Sequence, residues 1–219
     1  MNKIERELVR NLRPAFSELG FSFNAKREFF IRPTEYGFDA FLWTAVPTAS
    51  DVPRLELGIV AGLRHEVVDD IVNRLGIVYG EDNRRFTNTI SAPFALFPPD
   101  ARRTYSIPIR ENQQEEDIPA ATVAMREVLA TDASPLYKKF SSLSACAEGL
   151  NVPVESRSHP LLNNFERRMY YGLTCAKLGG CMDLDELEAR YRSFGASSMG
   201  AAWSKAEARL NQLMQMLRS

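Results

Sequence analysis

The chain has 219 residues, 45% of them hydrophobic and 25% charged, which excludes wholesale disorder. Its formal net charge is -1 and its basic residues form no stripe, which argues against a dedicated nucleic-acid binder. A chain of this length suits one compact body or two fused halves. It buries roughly 70% of its unfolded surface without needing disulfides or metals.

The opening predicts an amphipathic helix. Ile4, Leu8, Leu12, Phe16 and Leu19 recur at helical spacing and Gly20 follows as a C-terminal cap. Pro14 predicts a kink or a second helical piece. Short β-type runs come next. FSFN (21–24) and REFFIR (27–32) flank a polar turn and read as a hairpin. GFDAFLWTAV (37–46) and RLELGIVAGL (54–63) are longer strands, joined by the loop PTASDVP. In the second of them Leu55, Leu57, Ile59, Ala61 and Leu63 alternate onto one face. Such short connections favour antiparallel neighbours.

A helix is expected over about 65–75, with Val67, Val68, Ile71, Val72 and Leu75 as its stripe and Gly76 at its end. Residues 80–102 read as largely irregular. TYSIPIR (104–110) alternates Tyr105, Ile107 and Ile109, and Pro108 places it at a sheet edge. ENQQEED (111–117) reads as a polar connector, and beyond it each patterned segment is helical. Asp117 can cap a helix carrying Val123, Ala124 and Val128. Ser134-Pro135 starts one with Leu136, Phe140, Leu143 and Ala147, closed by Gly149. His159-Pro160 opens one with Leu162, Phe165, Met169, Leu173 and Ala176. Asp183 and Glu186 have capping-box spacing before Leu187, Tyr191 and Phe194. Trp203, Ala206, Leu210, Leu213 and Leu217 form the last stripe. The expectation is an α+β protein: an N-terminal helix plus a mainly antiparallel sheet over 1–110, then an all-helical region over 117–219 packed on it or separate.

Few residues are candidates for chemistry. The two histidines, His65 and His159, read as capping or surface residues, since no partner for either is evident in sequence. Cys146 and Cys175 read as small core residues. Cys175 and Cys181, six positions apart across a Gly-Gly turn, lack zinc-site spacing. Three cysteines without a secretion signal predict reduced thiols and a cytoplasmic protein. No P-loop, G-x-G-x-x-G or G-x-S-x-G occurs. Asp69 and Asp70 are adjacent on a helix and do not share a face. Arg102 with Arg103 and Arg167 with Arg168 are isolated pairs, read as solvated surface rather than a phosphate patch. The expectation is a binding protein without cofactor, metal or membrane span.

The clearest charge feature is Glu111, Glu115, Glu116 and Asp117. One reading is a solvated linker with favourable charge at a helix N-terminus. The other is a docking surface for a basic partner.

The run L-R-P-A-F-S-E-L-G-F-S-F (12–23), then R-E-F-F-I-R (27–32), then L-E-L-G-I (55–59), resembles a small bacterial α/β family of unknown function. The resemblance covers the first half of the chain and brings no catalytic residues. Proteins of this look are often encoded beside toxin genes, and some resemble immunity proteins of contact-dependent or type VI secretion systems. The resemblance implies an immunity protein whose partner is a cognate toxin, a nuclease effector among the possibilities. An enzyme with dispersed catalytic residues, or an adaptor in a secretion or stress complex, are the alternatives.

Overall fold

The computed structural model describes residues 2–48, 54–77, 80–94 and 106–219. Helix α1 (Lys3–Glu18) starts in a capping box: Asn2 Oδ1 accepts from Glu5 N–H at 2.9 Å, and Glu5 Oε2 accepts from Asn2 N–H at 2.8 Å. Pro14 lies inside this helix without dividing it. Proline costs one backbone donor there, and the buried face of Leu8, Val9, Leu12 and Phe16 holds the two halves in line. Gly20, at φ +81°, takes the left-handed position after Leu19.

The expected hairpin forms from β1 (Ser22–Asn24) and β2 (Phe29–Thr34), antiparallel with Ser22 opposite Ile31. Asn24 Oδ1 accepts from the N–H groups of Lys26 and Arg27 at the turn, at 3.1 and 3.2 Å. β3 (Gly37–Thr48) pairs antiparallel with β2, Phe30 opposite Phe41. β4 (Arg54–His65) runs two residues beyond its expected end, and Leu57, Ile59, Ala61 and Leu63 are buried along one face. Most of the expected loop at 47–53 lies outside the described residues.

Helix α2 (Glu66–Asn73) is shorter than expected, and Val67 faces solvent while Asp69 and Asn73 are buried. Residues 80–94 are more ordered than their composition suggests, with α3 (Glu81–Arg84) and β5 (Ile90–Pro93). Ile90 and Ala92 supply only two inward side chains, too few for a strand pattern to declare itself locally. β6 (Ser106–Arg110) is the described part of the predicted 104–110 strand. It pairs antiparallel with the first part of β4, Glu56 opposite Pro108. The sheet order is β1-β2-β3-β4-β5, with β6 also on β4.

The acidic connector is helical instead: a 3₁₀ turn over Glu111–Gln113 leads directly into α4 (Gln114–Val128). Three acids in the first turn of α4 complement the positive end of its dipole. A π turn over Leu129–Ala133 joins it to α5 (Ser134–Lys139). The single helix expected from Ser134 is in fact two. Ser142 caps a new one, α6 (Leu143–Asn151), its Oγ accepting from Ala145 N–H at 3.3 Å. Gly149 therefore lies within α6 rather than ending a helix, and a Cβ there would stand 2.5 Å from Phe140 Cε1.

The remaining helices are α7 (Phe165–Gly179), α8 (Leu184–Ser198) and α9 (Trp203–Arg218). Their caps are Asn164 for α7 and Asp183 for α8. α7 starts at Phe165 rather than at the expected His159-Pro160, leaving the buried Leu162 outside it, and the rest of its predicted stripe and that of α9 are buried.

The chain folds into two compact units, Met1–Gly62 with Ala92–Lys138 and Leu63–Ser91 with Lys139–Ser219. The division differs from the expected one near residues 110–117, because the chain changes unit within β4, β5 and α5. The first unit centres on aromatic rings: Phe16 lies 4.4 Å from Phe30 and 5.1 Å from Phe41 between centroids. In that unit α4 packs on α1 and β6. The second unit is built around α7, which packs against α2, α6, α8 and α9.

Candidate functional site

The four predicted binding residues lie together in the first unit, but they do two different jobs. β6 ends at Arg110, and the Asp117 carboxylate reaches back to it. Asp117 Oδ2 accepts from Arg110 N–H at 2.7 Å and from Nε–H at 2.9 Å, and Oδ1 accepts from Nη2–H at 2.6 Å. This two-pronged pairing suits the planar guanidinium. The hydrogen bonds from Arg110 hold the Asp117 carboxyl at about 2, below the usual carboxylate range. Asp117 is buried, so it fixes the turn between β6 and α4. It does not cap α4, which begins three residues earlier.

Glu111, Glu115 and Glu116 are exposed and line one surface depression of about 690 Å³. The start of α1 forms its other side, contributing Lys3 and Glu7. Four carboxylates and a single ammonium therefore border the same concavity. Glu7 escapes a reading of the sequence because about 100 residues separate it from the others. Only the packing of α1 on α4 brings it there.

A second polar cluster, in the second unit, was not visible in the sequence. His65 does occupy the N-cap position of α2, but its ring makes no cap and is buried. Its Nε2 lies 2.9 Å from the Phe140 carbonyl and 3.4 Å from Cys146 Sγ. The Cys146 thiol also donates to that carbonyl, at 3.1 Å. The carbonyl is available because the chain breaks its helix between α5 and α6. Hydrogen bonds from Cys175 and then His65 pull the Cys146 thiol down to about 6, against the opposing effect of burial. Burial depresses the His65 ring, and its bonds to Cys146 and Phe140 more than offset this, leaving it above its ordinary value. Cys146 thus sits between two demands. Its sulfur and imidazole neighbours stabilise the thiolate, whereas a carbonyl accepts only from the thiol.

Asp69 extends this cluster. It accepts from Thr89 Oγ1 at 2.6 Å and from the Tyr171 hydroxyl at 2.8 Å, and it pairs with Arg64 Nη1 at 3.3 Å. Burial still pushes its carboxyl up to about 6, although Arg64 and the hydroxyls pull the other way. Thr89 Oγ1 accepts from His65 N–H at 2.8 Å, which ties Asp69 to the His65 backbone. Cys146, Cys175 and Asp69 are fully buried, and no reactant reaches them in this conformation.

His159 is also buried rather than superficial: its Nδ1 accepts from Leu161 N–H at 3.2 Å. Arg168 is neither surface nor phosphate patch. It is buried and donates to the carbonyls of Pro153, Val154 and Ser156. Arg102 and Arg103 lie outside the described residues. Among the described residues, no group of three or more His, Cys, Asp or Glu is placed to hold a metal ion, and no helix is long and apolar enough to cross a membrane. Comparison of the chain with family models, curated proteins and solved structures finds no match.

Proposed function

We propose that this protein is an immunity protein that binds and neutralises a cognate bacterial toxin in the cytoplasm, without catalysis. The observation that carries the reading is the depression where Glu111, Glu115 and Glu116 meet Glu7. A toxin acting on a phosphate-rich substrate presents a basic surface, and an acidic concavity complements it in charge and shape. Asp117 serves this surface indirectly, by pinning the turn that carries Glu111. The enzymatic alternative would centre on His65 and Cys146, and their burial disfavours it.

The test is association kinetics with the purified product of an adjacent toxin gene, at two salt concentrations. Replacing Glu7, Glu111, Glu115 and Glu116 together with Gln should slow association about tenfold at low salt and flatten its salt dependence. Asp117 is left intact to preserve the turn. Unchanged association would remove the depression from the mechanism. Absence of binding, with no protection of cells expressing the toxin, would end the immunity reading.

A further inference from the structure

The acidic depression is one end of a longer feature of the first unit. Lys3 and Glu7 of α1 lie beside the start of α4, whereas Phe16 and Leu19 of α1 lie beside Val123 and the turn at Leu129. The two helices therefore run parallel, with their N-termini together. At their C-terminal ends they enclose an apolar groove of about 500 Å³, floored by Phe16, Leu19, Val123 and Leu129. Leu19 is 46% exposed and Val123 63% exposed, from facing helices of the same groove. Glu18, Arg126 and Glu127 form its rim, so the groove too has an acidic excess. Along the helices, groove and depression are roughly 12–18 Å apart at about 1.5 Å per residue, which is two to three turns.

We infer that the α1–α4 face binds an amphipathic helix of the partner protein, running antiparallel to α1 and α4, with apolar anchors in its N-terminal half and Lys or Arg in its C-terminal half. This rests on the proposed binding function and specifies its partner. Charge complementarity sets the orientation. The cationic half must lie on Glu7, Glu111, Glu115 and Glu116, which places the apolar half over Leu19 and Val123. A helix carries cations best in its last turn, and an antiparallel course sets its dipole against those of α1 and α4. Anchors at i, i+3 and i+4 then enter the groove, and the basic residues steer encounter.

The probes are two helical peptides of about 14 residues and identical composition. One carries Leu anchors first and Lys-Arg residues last, and the other reverses the order. Fluorescence anisotropy with the full chain should give tighter binding of the first by tenfold or more. The double variant L19S/V123S should lose that binding about tenfold while keeping a cooperative melting transition, since Leu19 is 46% and Val123 63% exposed. Equal binding of the two peptides, or binding of neither, overturns the inference. Loss of binding with the acidic residues replaced, but not with L19S/V123S, overturns the groove and leaves the acidic surface standing. The opposite pattern keeps the groove as a binding site but removes both the inferred orientation and the acidic reading. Sedimentation of the free protein should show no dimer that L19S/V123S dissolves. Such a dimer would assign the groove to a second copy and overturn the inference.

Discussion

At the scale of single residues, the second unit concentrates its unusual chemistry in a few buried groups. Asp69 is the clearest. Its carboxyl is raised from 3.8 to about 6, so its ionisation is harder in the folded protein than in the unfolded chain. Stability from this group is fully present below 3.8 and is lost as pH rises through about 6. The difference corresponds to about 3 kcal/mol, taken as an order of magnitude. Asp69→Asn should remove this dependence, so the gap in unfolding free energy between variant and parent should narrow by a few kcal/mol from pH 4 to pH 7. Urea titrations at four pH values measure it, and parallel pH profiles would sink the assignment. The thiols give an independent check. Cys181 is exposed, whereas Cys146 and Cys175 are buried. A thiol reagent should label a single cysteine in the native protein, and mass spectrometry should find it at Cys181. Rapid native labelling of Cys146 would mean that the His65–Cys146 pair opens to solvent, and would revive the enzymatic alternative.

At the scale of elements, close packing in the second unit depends on glycines whose role is not local. Gly195 lies inside α8, and a Cβ there would stand 2.0 Å from Cζ3 of Trp203, the first residue of α9. The indole is rigid and buried, so it cannot yield cheaply. Gly195→Ala should gain helix propensity yet destabilise the protein by about 1–3 kcal/mol through overpacking. A denaturation midpoint at or above the parent's would show that α9 adjusts freely. Such non-local demands also limit what the sequence makes legible. Amphipathic periods locate α1, α7 and α9, and alternation locates β4, because those signals are carried within one element. β5 is invisible because two inward residues make no period. The α5–α6 break is hidden because Leu136, Phe140, Leu143 and Ala147 keep helical spacing across it. Ser142, whose Oγ caps α6, is the local mark of the break, and the Phe140 carbonyl it frees finds its partner 75 residues away in His65. Of the candidate site, the cluster Glu111, Glu115 and Glu116 was legible as a charge run. The diversion of Asp117 to Arg110 depends on how β6 and α4 meet, and Glu7 on how α1 and α4 pack.

At the scale of the whole molecule, the course of the chain governs what can be cut from it. A division after residue 110 follows the change from strands to helices in the sequence, but it separates residues that complete one another. In the first unit, α4 packs on α1 and β6, Asp117 accepts from Arg110, and the Tyr137 hydroxyl donates to the Ala40 carbonyl at 2.7 Å. A fragment of residues 1–110 keeps the sheet and loses the helix that covers part of it, exposing Phe16-centred core and α1's buried face. In the second unit, Asp69 and His65 supply the partners of Tyr171, Cys146 and the Phe140 carbonyl, and Arg64 pairs with Asp69. A fragment of residues 117–219 lacks all three, leaving Tyr171 and Cys146 without these partners, and lost pairings of buried polar groups cost about 1–3 kcal/mol each. The two lost pairings come to about 2–6 kcal/mol, and with the loss of α2 from α7 they remove much of the roughly 5–15 kcal/mol that typically separates folded from unfolded domains, so neither fragment is expected to keep a cooperative fold. Expressed separately, both should show no sigmoidal urea transition and poorly dispersed amide proton resonances, while the full chain shows both marks of folding. A cooperative transition in residues 1–110 alone would mean that α4 is dispensable to the sheet, and would restore the boundary that composition alone suggests.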